Sequence, residues 1–307
     1  MAEQQEGFIE VGDEGFSDEG ADLESNQSFL TSLSSSIVKG VEENGRTYAT
    51  YGKEEYGLPM DEQEMDRIDM SHAKYYILLE KKAFPRTDSL RSATDFRFRV
   101  WNGTAPNCTF EIDDIEQIWT WKRESFDFIF ARDLLLSIRD WPKLVNQCFT
   151  HLKPGGYVEF QSIFGELCCD DDSLPADSNF RQFDKYVRVA SDKMGTPLTA
   201  PASYKDWFEA AGFVDVVEKK LKIPCNPWAK DPRLKMVGAF ELDNFLYGLE
   251  AMSLRMFERG LGWSAEETRV FVAGVRKDIR NSRFHSYYPF YIVYGRKPDA
   301  GTFTPAG

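Results

Sequence analysis

The sequence predicts an α/β sandwich on a mostly parallel sheet, and three observations carry that expectation. Phe126-Asp-Phe-Ile-Phe-Ala131 is a nearly unbroken apolar run, as a strand buried on both faces requires. Lys153-Pro154-Gly155-Gly156 reads as a type II turn, with proline at its second position and glycine at its third, and it delivers the chain into a second strand over 157 to 161. Capped segments with apolar residues at helical spacing alternate with such runs, the order that lays helices on a sheet. With 307 residues, 42% of them apolar, the chain can bury one full core.

The elements follow in order. Residues 1 to 36 hold nine acidic side chains and no Lys or Arg, so of the net charge of -13 only -4 is left for the rest. Such a segment, Ser- and Gly-rich with scattered Phe8, Phe16, Phe29 and Leu33, buries too little apolar area to offset chain entropy, and 1 to 45 is expected to be a disordered acidic tail. Order is expected from about Arg46, giving a domain over 46 to 298 and a flexible end over 299 to 307. Asp61 and Glu64 have the spacing of a reciprocal cap, and Met65, Ile68, His72, Tyr75 and Leu79 form a helical stripe, so a helix is expected from 61 to about 82, ended by Pro85. Phe96, Phe98 and Val100 alternate with arginines as a half-exposed strand would, and 109 to 112 is a short strand candidate ending in Asp113-Asp114.

After the Phe126 strand, Asp140 can cap a helix whose stripe is Leu144, Val145, Cys148, Phe149 and Leu152. A helix over 177 to 194 carries Phe180, Phe183, Val187, Ala190 and Met194 on one face. Ala210-Ala-Gly-Phe213 closes a short helix before a strand over 214 to 221. Asp231-Pro232 opens a long helix through Gly238, Leu242, Phe245, Leu249, Met252 and Met256. Ser264 and Glu267 form a capping box for a helix to about 280, and 290 to 294 is the last strand.

Composition excludes several functions. No apolar run approaches a membrane span and no signal peptide is evident, so the expected location is cytoplasmic, with the nucleus as the other compartment. The five cysteines are odd in number and lack C-x-x-C spacing, so neither a disulfide framework nor a zinc site is expected; Cys168-Cys169-Asp170-Asp171-Asp172 reads as an exposed loop, and no metal is expected. With no clustered Lys and Arg there is no nucleic-acid footprint.

The residues Glu55-Tyr-Gly-Leu-Pro59, Phe110-Glu-Ile-Asp-Asp114, Trp119-Thr-Trp121, Phe126-Asp-Phe-Ile-Phe130 with Arg132, Trp141-Pro142, Leu152-Lys-Pro-Gly-Gly-Tyr-Val-Glu159 with Gln161, Ala211-Gly-Phe213 and Tyr294-Gly-Arg-Lys-Pro298 together resemble the LaeA-like methyltransferases of filamentous fungi. These are class I enzymes dependent on S-adenosylmethionine (SAM). Each motif alone is weak; their order over about four-fifths of the chain is specific. The resemblance implies a Rossmann-like three-layer sandwich, with SAM as cofactor and a small hydroxylated or carboxylated metabolite of secondary metabolism as acceptor. It implies that Asp113 and Asp114 lie near the adenine and that Arg132 and Gln161 line the pocket rim, at the carboxyl edge where open α/β sheets bind ligands. His72, on a helix that lids the pocket, and His285, beside Tyr287 and Tyr288, are the candidates for contact with the acceptor. The plainer outcomes are a solvated turn for the aspartates, a surface arginine and a packed core histidine.

One motif of that family is missing. A strand, a Gly-x-Gly turn and a helix should precede Asp113, yet between Ala73 and Thr109 the only glycine is Gly103. A unit of that kind needs about 30 residues or more, so the first βαβ unit is expected to be truncated. Glycine matters there because the cofactor approaches the turn too closely for a side chain. Two readings follow: a SAM-dependent methyltransferase, or a non-catalytic accessory or regulatory relative that has lost SAM binding. The expected partners are a small-molecule substrate or a pathway enzyme, with a homodimer open and neither nucleic acid nor membrane.

Overall fold

A computed structural model describes residues 40–49, 56–80 and 113–301. The strand expected over 96 to 100, the candidate over 109 to 112, Gly103 and the expected truncation lie outside the described residues, as does nearly all of the acidic tail.

A hairpin opens the described chain, β1 (Val41–Glu43) against β2 (Arg46–Tyr48). The expected boundary at residue 45 falls inside this hairpin. Asp61 then does two jobs. Its carboxylate caps α1 (Glu62–Leu78) by accepting from Glu64 N, and it clamps the hairpin through Arg46 at 2.6 Å. The reciprocal half of the expected cap is absent, because the Glu64 carboxylate is buried against Arg67. The helix is also shorter than expected and rotated about its axis: it stops at Leu78, two residues before Glu80 takes a positive φ of 55°. Met65, expected on the core stripe, is 44% exposed, while Glu64, Lys74, Tyr75 and Leu78 face inward.

The sheet is built from β3 (Phe126–Arg132), β4 (Leu152–Ile163), the short β5 (Cys168–Cys169), β6 (Val214–Pro224) and β7 (Ser286–Arg296). β3 and β4 pair in parallel, and β7 runs antiparallel between β4 and β6. β3, β4 and β6 therefore point the same way around one reversed strand, and among the described residues β3, β6 and the short β5 each pair with a single neighbour. That position explains a second correction. The Phe126 run is only half-buried, with Phe128 alone fully inside, instead of being covered on both faces. The turn expected over 153 to 156 is instead an irregular stretch inside β4, where the register with β3 jumps from Leu152 to Tyr157; Gly155 has the expected positive φ of 78°, and a Cβ on Gly156 would lie 3.0 Å from the Asp127 carbonyl of β3. Only glycine lets this stretch pass so close to that strand.

Helices cover both faces. α2 (Trp141–His151), capped by Asp140, and α4 (Tyr204–Ala211) pack Trp141, Leu144, Tyr204 and Phe208 against Val158, Phe160 and Val293. On the opposite face α1 and the first half of α5 (Pro232–Leu261) pack Tyr75, Leu78, Leu234 and Val237 against Phe290 and Ile292. A third cluster joins α3 (Asn179–Lys193), the rest of α5 and α6 (Ala265–Ile279) through Phe180, Phe183, Phe257 and Val275. The expected starts at Asp231 and Ser264 hold: Asp231 accepts from Leu234 N, and Ser264 and Glu267 close a full capping box. The result is the three-layer α/β sandwich expected. Among the described residues no helix is long and apolar enough to cross a membrane.

Candidate functional site

Side chains alternate along a strand, and in β4 that alternation separates two chemistries. Val158 and Phe160 enter the apolar core under α2, while Glu159 and Gln161 turn to the face covered by α1. Arg132, the last residue of β3, is the register partner of Gln161, so both sit at the carboxyl edge of the sheet on this polar face.

There the side chains form one chain of hydrogen bonds. Arg132 Nε donates to Gln161 Oε1 at 2.8 Å, and Gln161 Nε2 donates to Glu159 Oε1 at 2.5 Å. Arg132 Nη1 stands 3.4 Å from His72 Nδ1 on α1. A guanidinium only donates, so Nδ1 is the acceptor in this contact and the ring proton sits on Nε2. The same guanidinium lies over the Tyr75 ring, which stacks on Phe290 at 4.8 Å. Tyr75 in turn donates its hydroxyl to Asp133 Oδ2. Burial pushes the Glu159 carboxyl up to about 7, against the opposing pull of the Gln161 hydrogen bond and of the Arg132 and Lys219 charges. Burial likewise raises the Tyr75 hydroxyl well above its ordinary value, helped by the negative Asp133, so it stays a donor.

One atom in this cluster is unmatched. Asp133 Oδ1 is buried and has no hydrogen-bond partner, although buried polar atoms are nearly always paired. Asp133 also has a positive φ of 51°, and its backbone N–H is tied to the Gln161 carbonyl at 2.9 Å. The carboxylate is thus fixed at the strand end with an acceptor to spare.

Of the six residues singled out from the sequence, three meet here: His72, Arg132 and Gln161. Asp113 and Asp114 lie at the same edge on the α2 side, because the neighbouring Glu116 accepts from the backbone N–H groups of Arg139 and Asp140. Asp114 is committed to the local turn, with both oxygens accepting from Glu116 N and Gln117 Nε2. Asp113 is exposed, with one oxygen accepting from Asp114 N. His285 stands elsewhere: Gln161 pairs with Ile292, seven residues along β7 from His285, which is roughly 20 Å of strand. Its Nδ1 contacts Asp171 at 2.5 Å and its ring lies against Trp228. Burial would raise the Asp171 carboxyl, but the bonds from His285 and Ser173 outweigh it and hold the group well below the usual range. The cysteine and aspartate run is the exposed loop expected at Asp170 to Asp172, but not at the half-buried cysteines. Cys168 and Cys169 pair with β7, and Asp170 accepts from Tyr287 and Lys222. Among the described residues no group of His, Cys, Asp and Glu could hold a metal ion.

Sequence reasoning passed over Glu159, Tyr75 and Asp133 as site residues. The Val158-Glu-Phe-Gln161 alternation was a usable signal for Glu159, since two polar residues two apart share one face of a strand. The charged pair Arg132-Asp133 closing an apolar run was another.

Comparison with known proteins agrees with this architecture. A methyltransferase-domain family model matches residues 55–218. The methyltransferase pytC of Aspergillus terreus is 33% identical over 299 residues, covering 88% of this chain and 92% of its own. The probable methyltransferase tdiE of Emericella nidulans is 34% identical over 190 residues, 62% of this chain and 59% of its own. The secondary metabolism regulator LAE1 of Cochliobolus heterostrophus is 29% identical over 289 residues, 83% of this chain and 94% of its own.

Proposed function

The chain belongs to the methyltransferase-domain family, and from that membership we propose that it binds SAM at the carboxyl edge of its sheet and methylates a small hydroxylated or carboxylated molecule of fungal secondary metabolism. The observation that supports this most is the unmatched Asp133 oxygen. SAM supplies an electrophilic methyl on a sulfonium, and it also carries an α-ammonium and an adenine amino group. Cations and donors are what a carboxylate with a spare acceptor takes up. Asp133 would hold one of them, oriented by the Tyr75 hydroxyl, and the exposed Asp113 carboxylate would serve the adenine side.

The remaining residues shape the acceptor side. Gln161 fixes the Arg132 guanidinium, which gives the edge a cationic wall suited to an acceptor carboxylate or hydroxyl. With its proton on Nε2, His72 can donate to an acceptor oxygen and orient it. Transfer to a well-placed oxygen depends mainly on holding the reactants in line, so a strong base is not required. α1 covers this face and keeps water from it.

A second reading, a non-catalytic accessory or regulatory protein, is favoured by two observations: the family's Gly-x-Gly turn is missing from the sequence, and Asp114 is spent on its own turn. Titration calorimetry with SAM separates the two. Saturable heat is expected, and Asp133→Asn, which replaces the charged acceptor with a neutral amide, should weaken binding by about tenfold or more. No saturable heat at millimolar SAM, in a sample shown to be folded, would leave the second reading in place.

A further inference from the structure

A cleft of about 420 Å3 lies between α5 and α6, lined by Glu250, Arg269, Ala273, Arg276, Lys277 and Arg280. Its charge is unbalanced. Glu250 is shared by Arg269 at 2.9 Å and Arg276 at 3.7 Å, and among the described residues Lys277 and Arg280 have no ion-pair partner. Arg276 Nε is buried without an acceptor. Basic residues in the last turn of a helix complement its dipole, which accounts for the sign at Arg276 and Lys277. It does not account for Arg269, which lies in the second turn, nor for a buried donor left unpaired.

The chain carries its own counterpart. Residues 1 to 36 hold nine carboxylates, no Lys or Arg, and aromatic side chains at Phe8, Phe16 and Phe29. The described chain begins at Gly40 beside the helix that forms one wall of the cleft, because Glu43 is gripped by Arg255 at 3.0 Å and Arg259 at 3.2 Å, both on α5. Arg255 is only about 7 Å of helix rise from Glu250. The 39 residues before Gly40 can span on the order of 100 Å, so reach is no obstacle. Val272 and Ala273 give the lining an apolar part, which suits an aromatic side chain flanked by carboxylates.

We propose that the acidic segment 1 to 36 docks in the α5–α6 cleft of its own chain, its carboxylates meeting Arg276, Lys277 and Arg280. The test uses the full chain. Carbodiimide, which joins a carboxylate to an amine it touches, should link Lys277 to a carboxylate within residues 1 to 36. The link should fade as salt is raised and screens the pair. Mixing labelled and unlabelled chains decides the occupant: links within one molecule support the proposal, and links between molecules overturn it in favour of a second copy. Lys277→Arg should abolish the link while keeping the charge. The triple variant R276E/K277E/R280E should speed cleavage of the segment by a Glu-specific protease by about tenfold, since a docked segment is cut only when it opens. No link to Lys277 in the native chain, or an unchanged cleavage rate in a folded triple variant, overturns the proposal.

Discussion

The two faces of the sheet differ in kind. Under α2 and α4 the contacts are apolar and aromatic, with Trp141, Tyr204 and Phe208 closing on Phe160. Under α1 and α5 the same strands present Glu159, Gln161 and Arg132, and the helices above are joined by a buried ion pair, Lys74 to Glu241 at 2.5 Å. Asn244 extends that pair by donating to Glu241 and accepting from Arg67 and Ser71. Burying charge costs desolvation that apolar packing avoids, so a fold needs no such face for stability. The α2 face is scaffold, and on the function proposed above the polar end of the α1 face is kept for what it binds.

Substitution can break that contrast most sharply at its centre. Lys74→Met leaves Glu241 buried without its counter-charge and should cost about 3–5 kcal/mol in urea unfolding, while Lys74→Met with Glu241→Leu should recover most of it. Phe160→Ala on the apolar face should cost a similar 3–5 kcal/mol through the cavity it leaves, with no second substitution in prospect to rescue it. If the double variant is no more stable than Lys74→Met alone, the two faces are not different in the way described.

A smaller effect sharpens the comparison through pH. The Glu159 carboxyl ordinarily titrates at 4.5 and is pushed up to about 7 by burial. Between those values the native state holds a proton that the unfolded chain has lost. Stability therefore falls as pH rises through this window, by up to about 3 kcal/mol, and levels off above it. Glu159→Gln should flatten that slope, read as urea midpoints at about pH 5 and about pH 8. An unchanged slope would assign the titration to another group.

Much of the scaffold was legible in the sequence, and little of the polar face was. The caps at Asp140, Asp231 and Ser264 and the positive φ at Gly155 are local, and each could be read from a few adjacent residues. The α1 stripe was misread because its inward side is polar: Glu64 is buried against Arg67, three residues on, and Lys74 against Glu241, 167 positions away. Periodicity sees only apolar residues, so a helix packed through charge appears rotated. His72, Arg132 and Gln161 were found through motifs. Asp133 was missed because its significance is an empty acceptor, which no pattern of residue types displays.

The smallest effect separates Asp114 from the site. Its oxygens serve the turn whose Glu116 latches the start of α2, which places it with the scaffold. Asp114→Ala should cost about 1 kcal/mol or less and leave the calorimetric response to SAM unchanged. A matching loss of SAM affinity would return Asp114 to the cofactor.

β7 is the eleven-residue strand Ser286–Arg296, and it lies between β4 and β6. On the ribosome those two strands emerge first and have no common neighbour until residues 286 to 296 arrive. Until then the nascent sheet stays in two open halves, each with a strand margin that another chain could seize. Among the described residues, closure of the sheet between β4 and β6 waits for this one strand.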